Sequence, residues 1–145
     1  MRRIAIVGLL IGLAAALAMG RVARVARAEE APAKAGKVFE LRTYIANPGK
    51  LEALNKRFCE HTNALFKNHG VQIIGFWTPA TGPEAENTLI YIVAFPSVEA
   101  QKKAWAAFMK DPEWIKAKKE SEVDGVLVKK VISQNLKATD YSPIR

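Results

Sequence analysis

The chain has 145 residues, of which 50% are hydrophobic and 25% charged, and its formal net charge is +8. The length suits one domain, the two fractions are typical of a globular protein, and a single cysteine, Cys59, excludes an internal disulfide and a Cys-x-x-Cys zinc or redox motif. Residues 1–28 contain five arginines and no acid, so residues 29–145 have 17 basic and 14 acidic side chains, and their net charge of +3 does not indicate a nucleic-acid-binding protein.

Residues 1–28 resemble a secretory signal peptide. A short positive start, Met1-Arg2-Arg3, precedes an uncharged apolar stretch over residues 4–19, and Ala26-Arg27-Ala28 provides the small-x-small pattern of a cleavage site. We therefore expect cleavage after Ala28 and a periplasmic or secreted protein.

Two alternatives to cleaved export stay open. The apolar stretch is shorter than the roughly twenty residues that span a bilayer. However, Arg21, Arg24 and Arg27 lie just before the cleavage site, where exported signals usually avoid positive charge. The segment is therefore alternatively a membrane anchor formed by residues 4–20, or an arginine-rich organelle presequence.

After a predicted linker over residues 29–37, residues 38–145 form a single domain with strand and helix patterns in the order β-α-β-β-α-β. Alternation with a period of two predicts strands, and apolar residues spaced by three and four predict helices. The strands are expected at residues 38–45, 71–78, 88–95 and 126–136, and the helices at residues 51–69 and 97–122, with a restart at Asp111-Pro112. The predicted buried side chains are Leu51, Leu54, Phe58, Thr62, Leu65 and Phe66 on the first helix and Trp105, Phe108 and Met109 on the second.

The second and third strands are apolar on both sides, which is typical of strands buried on both faces of a sheet. Two helices in this order normally cover the same face, so the other face would expose a larger apolar patch than monomers usually tolerate. A second copy of the same sheet is the simplest cover, because most oligomers are two-fold dimers. We therefore predict an α+β fold and a homodimer in which two sheets pack face to face.

Motifs throughout residues 38–145 are similar to those of the NIPSNAP family. They are ELRTY at 40–44, PGK at 48–50, HTNALF at 61–66, HG at 69–70, GFWTP at 75–79, NTLIYIVAF at 87–95, AWAAF at 104–108, DPEW at 111–114, ESEVDG at 120–125 and TDYSP at 139–143. The resemblance implies a ferredoxin-like βαββαβ sandwich that forms a dimeric α/β barrel. It implies little about activity: members in animals are mitochondrial, carry two such domains and are linked to vesicle traffic and mitophagy signalling. More distant relatives of the barrel superfamily include cofactor-independent monooxygenases, haem-degrading enzymes and isomerases.

Two residues, His61 and Arg42, are candidates for catalysis. His61 lies at the edge of the buried stripe of the first helix, and is interpreted either as a general base or metal or haem ligand, or as a hydrogen-bonded core-edge side chain. Arg42 shares one strand face with Glu40 and Tyr44, where it either holds an anionic substrate or pairs with Glu40 to anchor the subunit interface. Both histidines, His61 and His69, are on one helix, so we expect no metal site, and no cofactor is predicted.

Four aromatic residues are candidates for ligand binding. Tyr44 would donate a hydrogen bond to a substrate, while Trp77, Tyr91 and Trp105 either line one cavity for a planar hydrophobic molecule or fill the core. Cys59 is predicted to be an inert buried thiol.

These features predict a homodimeric module that binds a small hydrophobic or planar ligand, or that acts in interaction alone without a pocket. No nucleic-acid partner is expected, and membrane contact is expected only if the N-terminal segment stays uncleaved. The alternative function is a cofactor-independent monooxygenase or isomerase acting on a small aromatic substrate, with His61, Arg42 and Trp77 around one pocket.

Overall fold

The structure, a computed structural model, describes residues 36–145; the predicted signal peptide or anchor and most of the predicted linker lie outside these residues. Its strands and helices are β1 Val38–Ala46, α1 Leu51–Arg57, α2 Asn63–Asn68, β2 Gln72–Trp77, β3 Thr88–Phe95, α3 Val98–Phe108, α4 Pro112–Ser121 and β4 Val128–Lys137. A π-helical turn, Phe58–Thr62, joins α1 to α2, and a 3₁₀ turn, Pro83–Glu86, lies between β2 and β3. The predicted β-α-β-β-α-β order is confirmed, with each helical segment divided in two.

The four strands form one antiparallel sheet in the order β2-β3-β1-β4. This is the strand order of the ferredoxin-like split βαβ arrangement, in which each crossover places its helices on the same side of the sheet. Within residues 36–145, none of the helices combines the length and the apolar character needed to cross a membrane.

The helix-covered face of the sheet carries an aromatic core. The Tyr91 ring is fully buried, with ring centroids of Phe58, Phe66 and Phe76 at 5.3, 6.0 and 5.4 Å. The predicted burial of Leu54, Phe58, Thr62, Leu65, Phe66 and Phe108 is confirmed, and Leu51 and Trp105 are partly buried against the same core. The prediction for Met109 is wrong: its residue is 58% exposed, because α3 ends at Phe108 and the chain turns there.

Cys59 differs from its prediction, because its side chain is exposed rather than buried. It lies in the π-helical turn, where Phe58 and Thr62 take the two positions that face the core. An exposed thiol on this turn is accessible to solvent, and the expectation of an inert buried thiol is therefore wrong.

The second face of the sheet, here called the open face, carries mostly apolar side chains in rows that run across the strands. The rows are Leu136–Phe39–Ala94, Gln134–Leu41–Ile92–Gly75, Ile132–Thr43–Ile90–Trp77 and Lys130–Ile45–Thr88. Leu41, Thr43, Ile45, Ile90 and Ile92 are neither buried nor fully exposed in the single chain. The predicted two-sided apolar character of β2 and β3 is present, and within residues 36–145 no helix covers the open face.

Asp111 links the end of α2 to the start of α4 through its side-chain hydrogen bonds. It is the N-cap of α4, where its Oδ1 accepts a hydrogen bond of 2.7 Å from the backbone N–H of Glu113. Its Oδ2 lies 2.6 Å from Nε2 of His69, which follows α2. The hydrogen bond with His69, together with that from the Glu113 backbone, lowers the pKa of Asp111 below its usual value.

We predict that Asp111→Ala lowers the free energy of unfolding by more than Ser97→Ala does, since it removes both the helix cap and the contact with His69. Ser97→Ala is the matched control, because Ser97 caps α3 through the Ala100 N–H alone, and should cost about 1 kcal/mol. Urea unfolding followed by circular dichroism measures both values. Equal losses for the two variants would show that the His69 contact contributes nothing.

Candidate functional site

A cluster of polar side chains, here called the Glu40 cluster, lies between the sheet and α3. Its members are Glu40, Arg42, Tyr44, Tyr91, Gln101, Trp105, Ser133 and Asn135. The strand alternation places Glu40, Arg42 and Tyr44 on the helix-covered face, because their neighbours Phe39, Leu41 and Thr43 occupy the open face. The interpretation that the Glu40–Arg42 pair and Tyr44 anchor the interface with a second sheet does not agree with this placement.

The Glu40 carboxylate is the centre of this cluster and is 2% exposed. Oε1 accepts hydrogen bonds from Ser133 Oγ at 2.6 Å and from Arg42 at 2.8 Å. Oε2 accepts from Gln101 Nε2 and from Trp105 Nε1, each at 2.6 Å. One side chain therefore connects β1, β4 and α3.

Burial alone would raise the pKa of Glu40, but the hydrogen bonds from Ser133, Trp105 and Gln101, with the Arg42 charge, outweigh it and hold that pKa below its usual value. Glu40 is therefore ionised at neutral pH, and it has no proton to donate. Because its lone pairs are already used by four donors, it is also poorly placed to act as a general base.

Arg42 fills the space beside Glu40. Its guanidinium lies 4.7 Å from the centroid of the Trp105 ring and 5.5 Å from that of Tyr44, both within the range of cation–π contacts. Burial would lower the pKa of Arg42, but Tyr91, Tyr44 and Glu40 raise it, so the side chain stays charged. The predicted ion pair with Glu40 is present.

Tyr44 and Tyr91 extend the cluster toward the aromatic core. Tyr91 donates its hydroxyl proton to the Tyr44 hydroxyl at 3.1 Å, and Arg42 approaches the same oxygen at 3.4 Å. Burial, followed by the neighbouring Tyr44, raises the pKa of Tyr91 well above its usual value, so it remains a donor. Arg42 thus contacts Tyr44 and Trp105, and Tyr91 contacts Tyr44, whereas the sequence analysis groups Arg42 with Tyr44 and, separately, Tyr91 with Trp105 and Trp77.

His61 lies away from this cluster. Its side chain is 47% exposed, on the outer side of the π-helical turn, and its Nε2 is 4.0 Å from a Glu60 oxygen. It borders two shallow cavities of about 300 and 310 Å³ between the first helical segment and α4. The structure does not bring His61 to the Glu40 cluster.

Trp77 lies on the opposite face of the sheet from Tyr91 and Trp105. Its residue is 50% exposed, and its ring covers Gly75, where an added Cβ would be 2.7 Å from Trp77 Cη2. A β-bulge between Ile73 and Gly75 puts Gly75 and Trp77 on the open face. The expected single cavity of Trp77, Tyr91 and Trp105 is therefore not formed.

A groove on the open face was missed by the sequence analysis. The C-terminal tail, residues 138–145, covers Phe39, Ile74, Ile92 and Leu136 and leaves a cavity of about 280 Å³ between tail and sheet. Ile144, an isolated apolar residue in a polar tail, lines this cavity and is the one sequence signal that points to it. The hydrogen bonds that shape the tail lie within it, around Ser142.

Comparisons with known proteins agree on the fold. The NIPSNAP family model matches residues 39–143. The chain is similar to a solved NIPSNAP family protein of unknown function from Agrobacterium tumefaciens, at 24% identity and a TM-score of 0.66 over 76% of this chain and 95% of that one. It is also similar to an uncharacterised NIPSNAP-like domain protein from Burkholderia xenovorans, at 19% identity and a TM-score of 0.64 over 74% and 89% of the two chains.

A more distant structural similarity is to SnoaB, a cofactor-independent oxygenase from Streptomyces nogalater. The identity is 13% and the TM-score 0.51, over 75% of this chain and 99% of that one. No curated protein sequence matches the chain. At these identities the solved structures support the ferredoxin-like fold alone.

We predict that Glu40→Gln lowers the free energy of unfolding by about 3 kcal/mol at neutral pH, because a buried arginine loses its charged partner. The pKa of Glu40 is lower in the folded protein, so its contribution is present above the ordinary value of 4.5 and is lost as pH falls through the lowered pKa. The wild type should therefore lose more stability than the variant on acidification below that value.

Urea unfolding of both proteins over a pH series measures this difference. Glu60→Gln is the matched control, since its side chain is 50% exposed, and it should follow the wild-type pH dependence. Parallel curves for wild type and Glu40→Gln would show that the Glu40 cluster does not hold an ionised carboxylate.

Proposed function

The chain belongs to the NIPSNAP family, and from this premise we propose that it is a homodimeric module that binds a small hydrophobic molecule. The observation that carries the proposal is the open face, whose mostly apolar rows no helix within residues 36–145 covers. Two of its outer positions are large and apolar: Ile132 is 47% and Trp77 50% exposed. Patches of this kind on soluble proteins mark interaction sites.

A second copy of the same sheet is the proposed cover for this face. These rows are mostly apolar, with Gln134 and Lys130 at the β4 edge, so two such faces can pack against each other under a two-fold axis. Trp77 has the character of an interface anchor, because it is a large aromatic side chain that its own chain leaves half exposed.

Binding of a small hydrophobic molecule is assigned to the groove under the C-terminal tail rather than to the Glu40 cluster. The groove has open volume and an apolar lining, whereas Arg42 and Trp105 fill the helix side with their own side chains. A largely apolar concave site is what small hydrophobic ligands require.

The alternative, a cofactor-independent monooxygenase or isomerase, has weaker support. Its proposed residues lie on three surfaces: Arg42 between sheet and α3, His61 on the outer side of the helices and Trp77 on the open face. Similarity to a known oxygenase exists at the level of the fold only.

We predict that the protein sediments as a dimer at micromolar concentration. Ile132→Asp should convert it to monomer by placing an unpaired charge in the interface, and Trp77→Ala should weaken the dimer about 30-fold, which corresponds to about 2 kcal/mol. Analytical ultracentrifugation measures both. The matched control is Ile115→Asp, because Ile115 is 54% exposed on α4, and it should leave the dimer unchanged; a monomeric wild type would overturn the homodimer.

We further propose that residues 1–28 direct export and are removed. The mature protein should then begin at Glu29 and be found in the periplasm or culture medium. Intact-mass analysis of the cell fractions tests this. An unprocessed chain in the membrane fraction would instead support an anchor formed by residues 4–20.

A further inference from the structure

The groove under the C-terminal tail has one apolar part. Phe39, Ile92 and Leu136 form its floor on the sheet, and Ile144 forms its roof on the tail. Its volume of about 280 Å³ lies at the small end of ligand pockets. One unbranched hydrocarbon chain fits such a volume better than a branched or two-chain lipid.

The groove continues into a second, more polar cavity. This cavity has a volume of about 610 Å³, shares Phe39 and Lys137 with the apolar part, and is also lined by Lys37, Asp140 and Arg145. Lys137 pairs with Val38 in the register of the helix-covered face, so its side chain points away from this end, and Lys37 and Arg145 against Asp140 give the end its positive charge. Arg145 is held there, because its Nε donates to the Ser142 carbonyl at 2.9 Å.

We propose that this composite groove binds a single-chain amphipathic acid, with its hydrocarbon chain between Ile144 and the sheet and its carboxylate against Lys37 and Arg145. The inference rests on the proposed function and specifies its ligand. The charge of the polar end selects an anion, and the apolar lining of the adjoining part selects a hydrocarbon tail. Neither a neutral hydrocarbon nor a small inorganic anion would use both parts.

The test is isothermal titration calorimetry of the whole protein with octanoate, decanoate and dodecanoate below their micellar concentrations. Affinity should rise about fourfold for each added CH₂ that enters the apolar part. Decanoate should bind at least tenfold more tightly than decanol, and decyltrimethylammonium should not bind. Equal binding of the three head groups, or no dependence on chain length, would overturn the proposal.

Two variants locate the site. Ile144→Asp should weaken decanoate binding at least tenfold without unfolding the protein, because Ile144 is 50% exposed in the tail. The double variant Lys37→Gln/Arg145→Gln should remove the preference for decanoate over decanol. Lys129→Gln is the control, since Lys129 lies at the other end of β4 and outside both cavities; it should bind decanoate like the wild type.

Sedimentation of the same samples separates this proposal from the proposed function. A dimer that fails to bind any of the acids would overturn the ligand assignment and leave the homodimer intact. A monomer that binds decanoate with the expected chain-length dependence would overturn the homodimer and support the groove. If Ile144→Asp dissociates the dimer, the tail belongs to the interface between copies, and the ligand assignment is overturned.

Discussion

The buried carboxylate of Glu40 is the interaction on which the arrangement of sheet and helices depends. Its four donors come from β1, β4 and α3, and two of them, Gln101 and Ser133, are 61 and 93 residues away along the chain. A buried charge is tolerated only when such partners surround it. The position of the long edge strand β4 and the orientation of α3 are therefore coupled through one side chain.

This coupling explains why the polar residues of β1 do not form an accessible pocket. Arg42 neutralises Glu40 and packs against Trp105, and the Tyr44 hydroxyl accepts a hydrogen bond from the Tyr91 hydroxyl. Each polar side chain of β1 in the Glu40 cluster thus has an internal partner. Because β1 alternates from Phe39 to Ile45, the same strand presents Phe39, Leu41 and Thr43 on the open face.

The sequence predicts those parts of the fold that depend on local chemistry. β3 matches residues 88–95 at both ends, and Asp111-Pro112 begins α4 as its capping pattern indicates. The predicted grouping of Trp77 with Tyr91 fails because the bulge after Ile73 shifts the alternation of β2 by one residue. A period-two hydrophobic pattern does not indicate where a β-bulge of this kind lies.

The site was harder to predict than the fold because its contacts are long-range. The Glu40–Arg42 pair is visible in the sequence, since the two residues share a strand face. The remaining partners of Glu40 become neighbours only through the strand order and the packing of α3. The groove depends on where a tail without regular secondary structure lies, and hydrophobic periodicity carries no information about that placement.

The C-terminal tail and the proposed second copy can both cover the open face, because each covers a different end of it. Eight extended residues reach at most about 26 Å, and the outer strands of a four-stranded sheet are about 14 Å apart. If the tail passes once across the strands, it therefore covers the row that contains Phe39 and part of the next row. This is where Ile144 and the groove lie. The rows at Thr43 and Ile45, spaced about 7 Å apart along the strands, lie beyond that crossing. Ile132 and Trp77 lie in that part of the face and are about half exposed among residues 36–145, and the second copy proposed above is the cover assigned to them.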